Sequence, residues 1–427
     1  MNAKPVAAAF SHIEKLAVQL DFYGKSLDVG TLAWSNDERR AYFEYHRDFP
    51  GAALPLAPFK LAPADGAIAA PYTPFDGLHG LFNDSLPDGW GRLLLDRRLQ
   101  KHNTDHRLLT PLDRLAFIGR RGMGALRYVP DKVFGKHADR EIDLDWAAAQ
   151  ADRIQAEVDE ADVDRLHDIQ GGSAGARPKI MVGLNADTGR VVADAGEDLP
   201  DGFEHWMVKF RSNADPREIG AEEYAYSIMA REAGLDLPAT RLMKGDKDSY
   251  FAVRRFDRTP DGSTHIQTVS GLLEADHRAA QIDYETLLKV TRLLTRDERH
   301  VRQMFRRMAF NVLAHNRDDH SKNHAFVLAK DGNWHPTPAY DLTLSEGPGG
   351  EHSLAVNGEG RRPTHKDMLA VGKGASIPDG EIQEILDHVH TAIDRWPAFA
   401  ASAGLSQTWA DEVDYLLNAR GKPAKEE

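Results

Sequence analysis

The sequence predicts an α+β chain of three consecutive parts: a small β-rich leading unit over residues 1–135, a mixed unit over 136–265, and a mainly helical unit over 266–427. Three observations carry this reading. Apolar residues alternate in steps of two within the first 50 positions, strand, helix and strand patterns alternate between residues 179 and 256, and from about residue 268 the apolar spacing is three and four. A length of 427 residues suits roughly two to four packed units.

In the leading unit, AYFEYHRDF puts Tyr42, Glu44, His46 and Asp48 on one strand face and Phe43, Tyr45, Arg47 and Phe49 on the other. Before it, Gly24 and Gly30 stand at turn-like positions, so a small antiparallel sheet is expected. The pattern then turns helical at DGWGRLLLDRRLQ, with Asp88 as N-cap and Leu93, Leu94 and Leu95 as a buried stripe among arginines. PLDRLAFIGRRGMGALRYVPD reads as a helix, a glycine-rich turn and a strand, and residues 137–170 as a solvated helical connector. GGSAGARPKIMVGL is a small-residue turn entering the strand 180–184. EHWMVKF is a second strand with Lys209 near its end, and SYFAVRRFDR a third. Between them AEEYAYSIMAREAG forms an amphipathic helix burying Tyr224, Ile228 and Ala230 and ending at Gly234. YETLLKVTRLL and HVRQMFRRMAFNVLAHN are helices, followed by the loops and strand of DDHSKNHAFVL and PAYDLT.

Composition narrows the function. There are 53 Lys+Arg against 66 Asp+Glu, a net charge of −13, which disfavours coating nucleic acid or an anionic membrane over the whole surface. Cysteine is absent, so disulfides, thiolate metal sites and cysteine nucleophiles are excluded together. No stretch reaches the roughly 18 apolar residues of a membrane span, and a cytoplasmic protein without a membrane partner is expected.

The strongest constellation is Asp318, Asp319, His320, Lys322 and Asn323, with Asp341 eighteen residues beyond Asn323. Phosphoryl transfer needs a carboxylate to orient or deprotonate the incoming hydroxyl, and oxygen ligands to hold magnesium against a triphosphate. The competing reading is a polar surface loop, disfavoured by the apolar helix and strand on either side. Upstream, Gly171, Gly172 and Gly175 let backbone amides approach phosphate oxygens, Lys209 is placed to neutralise phosphate charge, and Glu222 or Glu223 is a candidate partner for that lysine. A nucleotide unit followed by a helical catalytic unit is the order of a protein-kinase-like two-lobed fold.

Two other reaction classes compete. Gly171 to Gly175 around Ser173 matches the G-x-S-x-G of a serine hydrolase, but the elbow needs an apolar strand before the serine and a helix after it. His315, His320 and His324 are conceivable metal ligands without H-E-x-x-H spacing, and Asp318, His320 and Asp341 would serve a magnesium-dependent nuclease. Arg292, Arg296, Arg299, Arg302, Arg306 and Arg307 form either a solvated helix face or a surface for an acidic partner or DNA.

These motifs resemble the HipA-like toxin kinases of bacterial type II toxin–antitoxin systems over nearly the whole chain. SLPDGWGRLLLDRRL and IGRRGMGALRY resemble the family's leading domain, GGSAGARPK its phosphate loop, WMVKF its nucleotide-lysine strand, AVRRFDR the strand into the hinge, and HNRDDHSKNHAF with PAYDLT its catalytic and metal motifs. The resemblance implies a Ser/Thr protein kinase with Asp318 catalytic, Asp319 its neighbour and not the base, and Asn323 and Asp341 as Mg²⁺ ligands. It further implies that Gly172, Ser173, Ala174, Gly175, Ala176, Lys179, Lys209, Arg255, Phe256, His320 and Lys322 bind ATP. Implied partners are a protein substrate such as an aminoacyl-tRNA synthetase, a helix-turn-helix antitoxin of HipB type, and operator DNA reached mainly through that antitoxin. The phosphate loop departs from the family pattern: Gly172 stands where the autophosphorylated serine is usual, leaving Ser173 as the candidate, and Arg177 replaces a glutamine. Arg254 stands where an acidic residue is frequent. A non-catalytic scaffold that binds antitoxin and operator DNA is the alternative within the same resemblance.

Overall fold

The computed structural model describes residues 11–102, 104–132, 141–158, 161–172, 175–194, 199–279 and 281–418. Two compact units emerge, one of residues 1–213 with 257–265 and one of residues 214–256 with 266–427.

The first unit opens with an antiparallel sheet in the order Ile68–Ala69, Arg40–Tyr45, Lys25–Ser35, Lys15–Phe22, Leu126–Val129. Leu16, Val18, Leu20 and Phe22 alternate into the core as a half-buried strand requires. Gly24, at φ +75°, makes the turn between the first two strands. Gly30 is no turn: it pairs with Val18 and Tyr45 inside its strand, where a Cβ would lie 2.2 Å from the Glu44 carbonyl oxygen. The strand through Tyr42 stops at Tyr45, and His46–Phe49 closes as a turn with Phe49 N–H donating to His46 O, so the expected alternation ends four residues early.

Helix Gly89–Lys101 follows, burying Leu94, Leu95, Arg98 and Leu99, while Leu93 is half-buried. Asp88 precedes it without capping it; its carboxylate is committed elsewhere. The stretch read as a solvated connector contains helices Leu144–Gln155 and Val163–Gln170, and the second is packed, not solvated. Leu166, His167, Asp168, Ile169 and Gln170 are all buried there, because Arg98 places its guanidinium on Asp168 and 2.7 Å from His167 Nδ1. Strand Lys179–Asn185 then pairs antiparallel with Val191–Ala193 and with Phe203–Lys209.

The second unit is mainly helical. Helix Ile219–Glu232 packs on strand Ser249–Arg254, which pairs with Thr240–Lys244. Its deepest residues are Ala225, Tyr226, Met229 and Ala230; Tyr224 and Ile228, expected inside, are half-buried because the face is rotated toward Tyr226, which meets Trp396 edge-on at 5.3 Å. Helix Glu298–Leu313 packs against both Tyr284–Thr295 and Asp379–Ile393. Asp283 caps helix Tyr284–Thr295 by accepting from Thr286 N–H at 2.7 Å. A short hairpin, Ala325–Leu328 with Trp334–Pro336, follows the polar loop. Among the described residues no helix is long and apolar enough to cross a membrane.

Candidate active site

The polar loop after helix Glu298–Leu313 is held by what its neighbours bury. Asp319 has no exposed side-chain surface and accepts from Tyr284 OH at 2.6 Å, His352 Nδ1 at 2.9 Å and Ser353 N–H at 2.8 Å. Asn311 Nδ2 donates to Tyr284 OH at 3.0 Å, and Asn316 Nδ2 to Asn311 Oδ1 at 3.0 Å and Asp341 O at 3.4 Å. Burial and the adjacent carboxylate push the Tyr284 phenol well above its ordinary pKa, so it stays a donor. Pinning one aspartate turns its neighbour outward: the Asp318 side chain is 57% exposed. Asp319 is thus an anchor of the loop.

Past Asp318, Ser321–Asn323 forms a single 3₁₀ turn. Asn323 Nδ2 donates to Asp318 O at 2.6 Å, which directs its amide oxygen away from that bond. His320 Nε2 lies 3.8 Å from Asp318 Oδ1, and His320 Nδ1 is buried without a hydrogen-bond partner. Tyr340 OH donates to Lys322 O at 2.7 Å and its ring stacks on Phe256 at 5.8 Å, while Arg255 is buried. Asp341, next in the chain, sits at φ +51°, a left-handed backbone that is costly for a residue with a Cβ and typical of functional positions. The second unit therefore groups Asp318, His320, Lys322, Asn323, Tyr340, Asp341 and Phe256 around one loop.

An amide oxygen and a carboxylate are the hard oxygen donors that Mg²⁺ takes, with phosphates and water completing its shell. Asn323 and Asp341 fit that requirement. No group of three His, Cys, Asp or Glu side chains gathers to hold a metal among the described residues. His315 faces Glu346 at 3.3 Å, and His324 gives Nε2 to the Asp319 carbonyl at 3.3 Å with its pKa lowered to about 3 by burial and by Arg307. These histidines brace the loop.

The first unit holds the glycine-rich turn. Gly171 ends helix Val163–Gln170 in the left-handed conformation, and a Cβ there would meet Met181 at 2.7 Å. Gly172 N–H donates to Gln170 Oε1 at 3.0 Å. Gly175 N–H donates to the Asp88 carboxylate, and its carbonyl accepts from Trp90 N–H at 3.1 Å. Ser173 and Ala174 lie outside the described residues. Because a helix precedes the turn and a strand follows it, the order is the reverse of a nucleophile elbow, and the hydrolase reading fails. Lys179 and Lys209 are register partners on adjacent strands, both buried, so their side chains share one sheet face. A Cβ on Gly175 would stand 2.1 Å from Lys179 Nζ, which places that ammonium against the turn beside Ala176. Within its own unit, Glu222 accepts from Thr343 Oγ1 at 2.8 Å and Trp409 Nε1 at 2.9 Å.

The arginine series is largely spent internally. Arg292 bonds Glu298, Arg299 bonds Asp297 and Arg302 bonds Glu381. Arg306 donates to Ala233 O and buried Arg307 to Thr337 O. What reasoning on sequence missed is the set beneath the loop: Tyr284, Asn311, Asn316, Arg317 and His352. The buried Asp319 is the signal that such donors must exist, but nothing local names them.

The family described as the HipA-like C-terminal domain matches residues 171–396, over half of the chain, and the HipA N-terminal domain matches residues 20–129. The chain belongs to the HipA-like family. Among its relatives, the candidate kinase Y4dM of Sinorhizobium fredii is 27% identical over 234 residues, covering 49% of this chain and 56% of its own. A candidate kinase of Haemophilus influenzae is 28% identical over 142 residues, covering 29% of this chain and 40% of its own. The chain spans about half the length of the curated relatives it matches. HipA of Shewanella oneidensis MR-1, solved with HipB and operator DNA, matches in fold with a TM-score of 0.69 at 18% identity, over 95% of this chain and 96% of that one.

Proposed function

We propose that the protein is a HipA-type kinase that transfers the ATP γ-phosphoryl group to a serine or threonine of a protein target. The observation that carries this is the exposed Asp318, with Asn323 and Asp341, on a loop anchored by buried Asp319. Membership of the HipA-like family and relatives named as candidate kinases support the coarser statement. ATP with Mg²⁺ would supply the transferable group and meet its developing charge. Asp318 orients the incoming hydroxyl and accepts its proton, Asn323 and Asp341 offer oxygen ligands, and Lys179 and Lys209 answer phosphate charge. His320, Lys322, Arg255 and Phe256 complete the proposed nucleotide contacts.

A translation component such as an aminoacyl-tRNA synthetase is the proposed target class, and the proposed neutralising partner is a helix-turn-helix antitoxin of HipB type. HipA of Shewanella oneidensis was solved with HipB and its operator DNA, which supports the antitoxin part of this reading. With most of the arginine series tied into internal bonds and a net charge of −13, operator contact falls mainly to the antitoxin. The decisive experiment incubates the full chain with radiolabelled ATP, Mg²⁺ and a bacterial lysate. Asp318→Asn and Asp341→Asn should each lower transfer by about 10²–10⁴-fold with melting behaviour retained. Equal labelling by wild type and both variants defeats the proposal. Nucleotide binding without transfer identifies a scaffold, and plasmid cleavage with Mg²⁺ alone a nuclease.

A further inference from the structure

Arg317, immediately before Asp318, is buried at 3% exposure, and its charge is answered from within the chain. Nη1 donates to Gly350 O at 2.7 Å and Nη2 to Arg361 O at 2.8 Å, while Nη1 lies 3.4 Å from Glu346 Oε2. The other oxygen of Glu346 is 3.3 Å from His315 Nε2. Main-chain bonds run alongside: Ser345 N–H to His315 O at 3.0 Å, Arg317 N–H to Ser345 O at 3.2 Å, and Ser353 N–H to Arg317 O at 3.2 Å. At Gly347, φ +68°, a Cβ would stand 2.2 Å from Glu351 O and 2.6 Å from Arg317 Cβ, so only glycine allows this approach.

In kinases switched by phosphorylation, a new arginine–phosphate pair orders the segment that follows the metal-binding aspartate. Here that segment is already ordered by an arginine whose partners are carbonyls and a carboxylate. Resting on the kinase reading, we infer that Arg317, with Glu346 and the carbonyls of Gly350 and Arg361 in the place of a phosphate, sets residues 345–361 in their working conformation without covalent modification. Arg317 and Glu346 are positioning residues for Asp318. The hydroxyls in 345–361 agree: Ser345 and Ser353 are the two present. Ser353 N–H donates to Asp319 Oδ1 at 2.8 Å, so a phosphate on its side chain would be repelled by a buried carboxylate. Ser345 Oγ is used by Gly347 N–H at 3.3 Å within the turn.

The test uses the full chain, untreated and phosphatase-treated, beside Glu346→Ala and Arg317→Lys. Phosphatase treatment should not lower kcat. Glu346→Ala should lower kcat about fivefold, the size suited to a half-exposed ion pair, with KM for ATP and melting temperature unchanged and faster amide exchange over 345–361. Arg317→Lys should lower kcat further, because one ammonium lacks the fork that spans two carbonyls. Loss of transfer on phosphatase treatment, phosphate on Ser345 or Ser353 of the active protein, or wild-type kcat and exchange in both variants overturns the inference. Should wild type transfer no phosphate, the kinase reading fails on its own. Amide exchange then decides the lock: protection of 345–361 released by Arg317→Lys supports it, and no protection overturns it.

Discussion

Two adjacent aspartates of identical chemistry have opposite fates because of what surrounds each. Asp319 accepts from a phenol, an imidazole and a main-chain amide in the core, and Asp318 meets solvent. Asp319→Ala strands buried donors that the carboxylate had satisfied, and it should lower stability by about 3 kcal/mol or more. Tyr284→Phe removes the bond to Asp319 and the one accepted from Asn311, and should cost about 1 to 3 kcal/mol. Urea unfolding of both variants checks the ranking; an Asp319→Ala midpoint equal to that of wild type would contradict the anchor.

Among the elements, helix Ile219–Glu232 shows how packing reverses an intrinsic preference. Gly→Ala inside a helix ordinarily gains about 1 kcal/mol. At Gly220, however, a Cβ would lie 2.1 Å from Ser249 O on the packed strand, and forcing them apart costs about 1–3 kcal/mol or more. Gly220→Ala should therefore lower the melting temperature. Gly380, in helix Asp379–Ile393, has no atom within 4 Å of the Cβ position, and Gly380→Ala should raise it. Thermal melts of the two variants should move in opposite directions. A second element-level test concerns helices Gly89–Lys101 and Val163–Gln170. Asp168 neutralises Arg98 and lies 3.6 Å from Arg121, so Asp168→Ala leaves buried guanidinium charge and should cost about 3–5 kcal/mol.

Across the molecule, stability should fall in mild acid. Burial lowers His79 and His265 to about 4, where each gives Nε2 to a backbone carbonyl, and burial with Arg307 lowers His324 to about 3. Unfolded histidine takes up its proton near pH 6.5, so between about 6.5 and 4 the unfolded chain binds protons that the fold excludes. The contribution is complete above that window and lost as pH drops through it, at up to about 1.4 kcal/mol per pH unit per histidine. Urea midpoints from pH 7 to 4.5 should show the decline, and His265→Gln should reduce its slope; a flat profile would contradict the buried neutral rings.

Sequence by itself determined the parts whose chemistry is local: the polar loop that carries Asp318 and Asn323 between a helix and a strand, the turn at Gly24, the strand and helix periods, and the glycine-rich turn between a helix and a strand. Strand ends and helix faces were less legible, since His46–Phe49 alternates like a strand yet turns, and Gly30 resembles a turn residue yet is required by the close approach of Glu44. Only tertiary structure decided which aspartate is pinned and which is presented, because Tyr284 and His352 lie 35 and 33 residues away from Asp319. It also decided that the arginine series is mostly tied down, through partners such as Glu381 that sit 79 residues from Arg302. The physical reason is the same in both cases: a side chain's charge is written in the sequence, but the donors and acceptors that satisfy it after burial are brought to it by folding.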